Sequence, residues 1–226
     1  MRKMVFLCRR RPDITHDEYA RRVLEGHVPL AIRHHPTMRH YVVNIVERVA
    51  VPGSADLDSV AELSFETLED YRERLYDSPE GEKIIGRDVV GFMGGAHSYD
   101  CTEHVHRRPE RRFGERTPGV KLVEGLKRKP ELAHDEFVAQ WLERHVPLVL
   151  EHLPGVTHCV TNVVDQRVSP AGEDFDLFFE IGFAGEQQLR GAFASPKSGG
   201  RLSIESDSAR LVGAVEAWRV AEFPQK

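Results

Sequence analysis

WLERHVPLVLEHLPGVTHCVTNVV, residues 141–164, decides the fold, because the chain has already spelled it once. Residues 23–46 read VLEGHVPLAIRHHPTMRHYVVNIV, and each matched position lies 118 residues earlier. His27 meets His145, Pro29 meets Pro147, His34 meets His152, His40 meets His158 and Asn44 meets Asn162. The register holds without a gap from Lys3 to Val46. A self-match at a long fixed period means two like structural units. With 226 residues, each has about a hundred.

Outward from this stretch, each unit reads in the same order. KMVFLCRRRP opens as a strand that a proline stops. Thr15 to Glu18 is a capping box that starts a helix, whose apolar stripe is Tyr19, Val23, His27, Leu30 and His34. The second copy places Phe137, Trp141, His145, Leu148 and His152 on the same stripe, which is expected to pack inward. Pro29 and Pro147 lack an amide hydrogen and should kink these helices just after the histidines. HYVVNIV comes next as a strand, with His40, Val42, Asn44 and Val46 on one face. That face is identical in the second copy (His158, Val160, Asn162, Val164), whereas the other drifts, Cys159 standing for Tyr41. After a polar loop, VPGSADLD, comes a strand holding Glu62 among apolar residues, as Glu180 is held in LFFEIGF. A helix from about Thr67, a break at Asp77–Glu80, a short helical piece to Phe92 and a last strand around Tyr99 complete the unit. The order strand–helix–strand–strand–helix–strand is ferredoxin-like. The expected organisation is a first repeat over 1–105, a charged Pro- and Gly-bearing linker over 106–119, and a second repeat over 120–226.

Composition narrows the function classes. A net charge of −5 gives no general attraction to nucleic acid or an anionic membrane, and RRPERR in the linker is too short to change that. No apolar run nears the ~20 residues that span a bilayer. Cys8, Cys101 and Cys159 form neither a disulfide framework nor a CxxC pair, which fits a reducing cytoplasm. No nucleotide fingerprint, phosphate loop or HExxH pair occurs. His27 and His34 lie about 10 Å apart along a helix axis at 1.5 Å per residue, too far to share one metal ion. Neither a metal nor another cofactor is therefore expected.

The chemistry-bearing candidates are histidines and strand glutamates. His27 and His145 read either as core imidazoles bonded to the helix backbone, as general acid/base groups in a pocket, or as ligands of a metal or haem. Proton transfer suits imidazole because small shifts carry its pKa across neutrality. Glu62 and Glu180 are either strand residues with a basic partner or carboxylates that orient an imidazole. His34, His40, Tyr41, Asn44, Trp141, His152, His158 and Asn162 are candidate substrate-binding residues around them. His35, replaced by Leu153 in the second copy, is expected to be merely exposed.

At Phe137–Asn162, with Trp141, His145, ValProLeu, LeuProGly at 153–155 and Asn162, the sequence resembles the EthD family. The first copy departs at Val23 and at ProThrMet, residues 36–38. The resemblance covers nearly the whole chain and implies the dimeric α+β barrel superfamily. The two repeats would then pair their sheets as a pseudo-dimer within one chain, with a further homodimer left open. Relatives of that barrel include cyclases, isomerases, dehydratases, decarboxylases, cofactor-free monooxygenases and haem peroxidases, and fold alone does not choose among them. Two functions fit. One is a cofactor-independent enzyme doing acid/base chemistry on a hydrophobic, polyketide-like or aromatic metabolite, with Asn44, Asn162 or a tyrosine holding an oxyanion. The other is a non-catalytic metabolite-binding or oxygenase-accessory protein, and behind both stands a haem-binding protein or a cofactor-free monooxygenase.

Overall fold

The computed structural model describes residues 1–47, 54–194 and 199–226. Part of the polar loop expected from Val51 lies outside them. In the first repeat the elements are β1 (Arg2–Arg10), α1 (His16–Arg21), a π-helical turn (Arg22–His27), α2 (Val28–His34), β2 (His40–Val46), β3 (Ser59–Phe65), α3 (Leu68–Arg72), α4 (Pro79–Phe92) and β4 (Met93–Arg107). The second has β5 (Val120–Arg128), α5 (His134–Gln140), a π-helical turn (Trp141–His145), α6 (Val146–His152), β6 (Val156–Arg167), β7 (Leu177–Phe183), α7 (Glu186–Ala194), α8 (Gly199–Leu211) and β8 (Val212–Pro224).

The eight strands close one barrel in the order β1-β3-β2-β8-β5-β7-β6-β4, every pairing antiparallel. Each repeat contributes a ferredoxin-like sheet, and two seams join them, β2 with β8 and β4 with β6. The halves therefore form a pseudo-dimer whose sheets have no free edge. β4 runs into the segment that reads as linker, since Arg107 still pairs with Cys159 of β6. The face duplicated in both copies lines the barrel lumen: Val46 and Val164 pack there with Val123, Phe178 and Trp218. The drifting face meets the helices, as with Tyr41, Val43 and Ile45 in the first repeat. No helix among the described residues is long and apolar enough to cross a membrane.

Three local features differ from the sequence expectation. First, the expected proline kinks take the form of π-helical turns. Val28 N–H bonds to Val23 O and Val146 N–H to Trp141 O, five residues back instead of four. The wider turn keeps the proline ring clear of a carbonyl it cannot bond. The extra residue also shifts the phase of the next helix, so Val28, Ala31, Val146 and Val149 are buried rather than Leu30 and His34 with their mates. Second, Ser78 and Pro79 start a helix instead of interrupting one. Ser78 Oγ caps Gly81 N–H, proline occupies the first turn, and α4 runs fourteen residues, while the Thr67–Asp70 capping box opens only five. Third, His35 is buried at 4% exposure, its Nδ1 3.2 Å from the Leu75 carbonyl oxygen and its ring beside Tyr76.

Candidate functional site

The π-helical turns set the two principal histidines against a second helix. His27 Nδ1 lies 2.8 Å from Asp88 Oδ2 on α4, and His145 Nδ1 lies 3.1 Å from Asp207 Oδ2 on α8. The same dyad thus stands on the outer side of both sheets. A carboxylate on Nδ1 fixes the ring and its tautomer and leaves Nε2 to exchange protons. The surroundings differ. The His27 ring lies 5.2 Å from that of Phe92, and Phe92 and Asp88 face an open cleft of about 480 Å³. That cleft is lined by Arg21, Arg22, Glu25, Gly26, Arg87, Asp88, Gly91 and Phe92. His145 is 3% exposed and lies under Trp141, stacked at 4.1 Å between centroids. Burial pushes the His145 imidazole below its ordinary pKa, and Asp207 offsets part of that. With Val23 in place of Trp141 the first dyad is less enclosed, the His27 and Asp88 side chains being 13% and 26% exposed.

Glu62 and Glu180 do not join these histidines, because they point into the lumen while the dyads lie outside it. There they form one end of a buried ionic network. Lys3 Nζ lies 2.7 Å from Glu62, 2.5 Å from Glu103 and 3.5 Å from Glu180. Lys121, its mate 118 residues on, lies 2.6 Å from both Glu180 and Glu222 and 3.5 Å from Glu62. Asn44 donates to Glu62 and accepts from Lys121, whereas Asn162 donates to Glu180 and its Oδ1 has no partner. His158 bonds Glu180 at 2.9 Å, so an imidazole–glutamate pair does form, with a different histidine.

Burial works against every charge here, and opposite charges outweigh it. Lys121 and Lys3 hold Glu180 well below the usual carboxylate range, and Lys121 and Arg111 do so for Glu222. The carboxylates in turn raise Lys121 to about 12. His158 is lowered by burial and by Lys121, with Glu180 opposing. Lys121, Glu180 and Glu222 keep fixed charges near neutral pH, as suits a network that stitches the repeats together. His158, Glu180 and Glu222 lie close enough to share a metal ion. The Lys121 ammonium already lies between the two carboxylates, so this donor set does not fit one.

The remaining candidates separate. His40 is exposed and lines a mouth of the barrel of about 190 Å³ with Lys3, Glu62 and Arg108. Around its mate His158 only about 20 Å³ is open, closed over by Pro109 and Thr117–Gly119. His34 bonds Asp77 at 3.0 Å, and His152 packs against Gly200, so both seat the start of the following helix region. Tyr41 is buried in the helix-side core. Reading the sequence missed Asp88 and Asp207, which stand 119 residues apart, one step off the repeat register. It also missed Lys3 and Lys121, which are in register and alternate with the apolar residues of their strands. A third duplicated cluster, Arg10–Asp58–His16 and Arg128–Asp176–His134, pins each loop before β3 and β7 to the first helix.

An EthD-domain model matches the chain twice, over residues 11–96 and 129–214. No curated protein matches it in sequence. Among solved structures it is similar to an anthrone oxidase-like protein, with a TM-score of 0.68 at 10% identity over 99% of this chain and 92% of that one. It is also similar to a candidate monooxygenase from Fusobacterium nucleatum subsp. nucleatum, with TM-score 0.67 and 8% identity over 100% and 94%. A third, a candidate monooxygenase from Lactobacillus acidophilus NCFM, gives 0.60 and 10% over 100% and 95%. At such identities the likeness is one of fold. With both repeats matched and closed into one barrel, the chain belongs to the EthD family, as a tandem member built on the dimeric α+β barrel.

Proposed function

We propose that the chain is a small-molecule enzyme working by proton transfer, with His27 as general acid/base, Asp88 as its orienting carboxylate and the adjoining cleft as the substrate's seat. One observation carries this reading: the His27–Asp88 dyad borders an open cleft of about 480 Å³, whereas its twin is shut beneath Trp141. Asp88 on Nδ1 stabilises the imidazolium formed when Nε2 takes a proton. Arg21, Arg22 and Arg87 on the rim favour a substrate that becomes anionic on losing that proton, such as a phenol or an enolisable ketone. The transfer itself needs no cofactor. The aromatic, oxygen-bearing substrate implied by the name of the anthrone oxidase-like neighbour belongs to the same chemical class. In the second repeat the dyad serves as a clamp between helices.

Hydrogen–deuterium exchange at the acidic methylene of anthrone and of acetylacetone, followed by NMR, tests the assignment. The wild type should accelerate exchange, His27→Ala should lose at least ~100-fold, Asp88→Asn should lose less, and folded His145→Ala should keep its rate. No acceleration by the wild type, or an unchanged rate in His27→Ala, would sink the reading.

A further inference from the structure

The lumen carries the same ionic centre twice, and the two copies are finished differently. Glu222 accepts from Lys121 Nζ, from Thr117 Oγ1 and from both Nε and Nη2 of Arg111, at 2.6–2.9 Å. Glu103, 119 residues earlier, accepts from Lys3 Nζ and from Arg108 Nη2, both at 2.5 Å. Arg111 thus uses both prongs of its fork on one carboxylate, whereas Arg108 uses one. The Arg108 Nε–H is buried and has no acceptor among the described residues. The histidines part in the same way. His158 turns inward onto Glu180 beside Gly182, where an added Cβ would come within 3.0 Å of the His158 Cβ. Ser64 carries that Cβ in the first repeat, paired with His40 on the ladder. The His40 imidazole is exposed and makes no hydrogen bond among the described residues.

What remains on the His40 side is the mouth of about 190 Å³, with His40, Arg108 and Lys226 as polar walls and Val42, Phe113 and Pro224 as apolar ones. Phe113 belongs to the linker, which is tied to β8 here by the Gly114 N–H on the Pro224 carbonyl at 2.7 Å. Its side chain is 67% exposed at the rim. A concave site with an apolar wall and a few convergent polar groups is what a small ligand needs. A buried N–H without an acceptor is uncommon, and an arginine fork fits a carboxylate. The four glutamates of the centre are already matched by Lys3, Lys121, Arg108 and Arg111. The Lys226 ammonium has no carboxylate partner among the described residues and can balance an added anion.

We infer that this mouth of the barrel lumen is a binding site for a small aromatic carboxylate. The carboxylate takes the Arg108 Nε–H and a hydrogen bond from His40, and the ring lies against Phe113, Val42 and Pro224. A cavity of about 150 Å³ holds a benzene ring, so the mouth seats one ring with its carboxylate rather than a fused system. The linker supplies both Arg108 and Phe113, so the site exists because the two repeats are joined in one chain. At the second mouth the same linker fills the space with Pro109 and Thr117–Gly119. The site shares no residue with the cleft beside Asp88, and neither reading depends on the other.

Calorimetric titration of the full chain with benzoate, benzamide and acetate tests it. Benzoate should bind saturably, and at least ~10-fold more tightly than benzamide, which lacks the charge, or acetate, which lacks the ring. Arg108→Lys keeps a cation for Glu103 but has no Nε–H, and should lose at least ~10-fold in benzoate affinity. Phe113→Ala changes an exposed side chain that the fold does not need, and should weaken benzoate several-fold while leaving acetate unchanged. Arg112→Ala, at a linker arginine 78% exposed, and His27→Ala should both bind as the wild type does. In NMR the His40 imidazole signals should shift on addition of benzoate and those of His27 should stay. No saturable benzoate binding, equal affinity for benzamide, or unmoved His40 signals overturns the proposal. So does wild-type affinity in Arg108→Lys or Phe113→Ala, or a loss in Arg112→Ala as large as that in Arg108→Lys.

Discussion

Replacing Lys121 by Met asks whether the barrel lumen is as dry as its ion pairs imply. The ammonium lies 2.6 Å from Glu180 and from Glu222 and 3.0 Å from Asn44 Oδ1, on a side chain only 7% exposed. Methionine fills the stem's volume but leaves two carboxylates facing each other without their shared cation. Breaking a buried pair by removing one partner costs about 3–5 kcal/mol. For a chain of this size that is a fall in Tm of roughly 10 °C. His158 adds a second readout. Its pKa is lowered by burial and by Lys121, so the lysine's removal should move it upward, with Glu180 and Glu222 now uncompensated. A histidine whose folded pKa is raised contributes stability that is present at low pH and lost as pH rises through that pKa. The variant's deficit should therefore be larger at pH 8 than at pH 5.5, where protonated His158 replaces part of the missing charge. Thermal denaturation at the two pH values and an NMR titration of His158 measure both effects. A deficit under ~1 kcal/mol, or one independent of pH, would mean that water screens the lumen and that the network is not desolvated.

Glu124→Gln should stabilise the fold at pH 8 by about 1–3 kcal/mol and change little below pH 4.5. The buried carboxyl titrates at about 7 instead of its ordinary 4.5, and its charged form is what the fold disfavours. Equal denaturation midpoints at pH 8 would show the carboxylate to be well solvated. His145→Ala should lower Tm by several degrees more than His27→Ala, because only His145 is stacked and enclosed. Matching losses would undo the distinction between an open and a shut dyad.

The fold was legible because its evidence is periodic. The 118-residue register and the alternation along HYVVNIV require only that residues be counted, and both are realised in the closed barrel. What escaped is where local chemistry overrides periodicity. A π-helical turn inserts a residue without leaving a mark in sequence, so the stripe ending in Leu30 and His34 slips out of phase after His27. Ser78–Pro79 reads as a break, or equally as a cap and first turn, until the length of α4 is known. Glu62 and Glu180 stood out as lone charges in apolar strands. Their partners Lys3 and Lys121 sit near strand starts, where lysine ordinarily faces water, so the pairing became visible only in three dimensions. Asp88 and Asp207 lie on helices that carry many other charges, and nothing but contact distinguishes them.

Duplication and divergence therefore mark different things in this chain. Both repeats line one lumen, so the charged residues at its centre lie beside their own counterparts. Lys3 with Lys121, Glu62 with Glu180, and Asn44 with Asn162 are the same because they occupy equivalent places in one network. The two layers between sheet and helices share no such space. Each packs only against its own helices, and a change in one costs the other nothing. That is where Val23 becomes Trp141, Phe6 becomes Glu124 and Tyr41 becomes Cys159. Trp141 closes a dyad that Val23 leaves partly open, and Glu124 puts a carboxyl where Phe6 packs against Tyr71. A closed barrel frees both outer layers from the task of holding the halves together, so each can take up chemistry the other lacks.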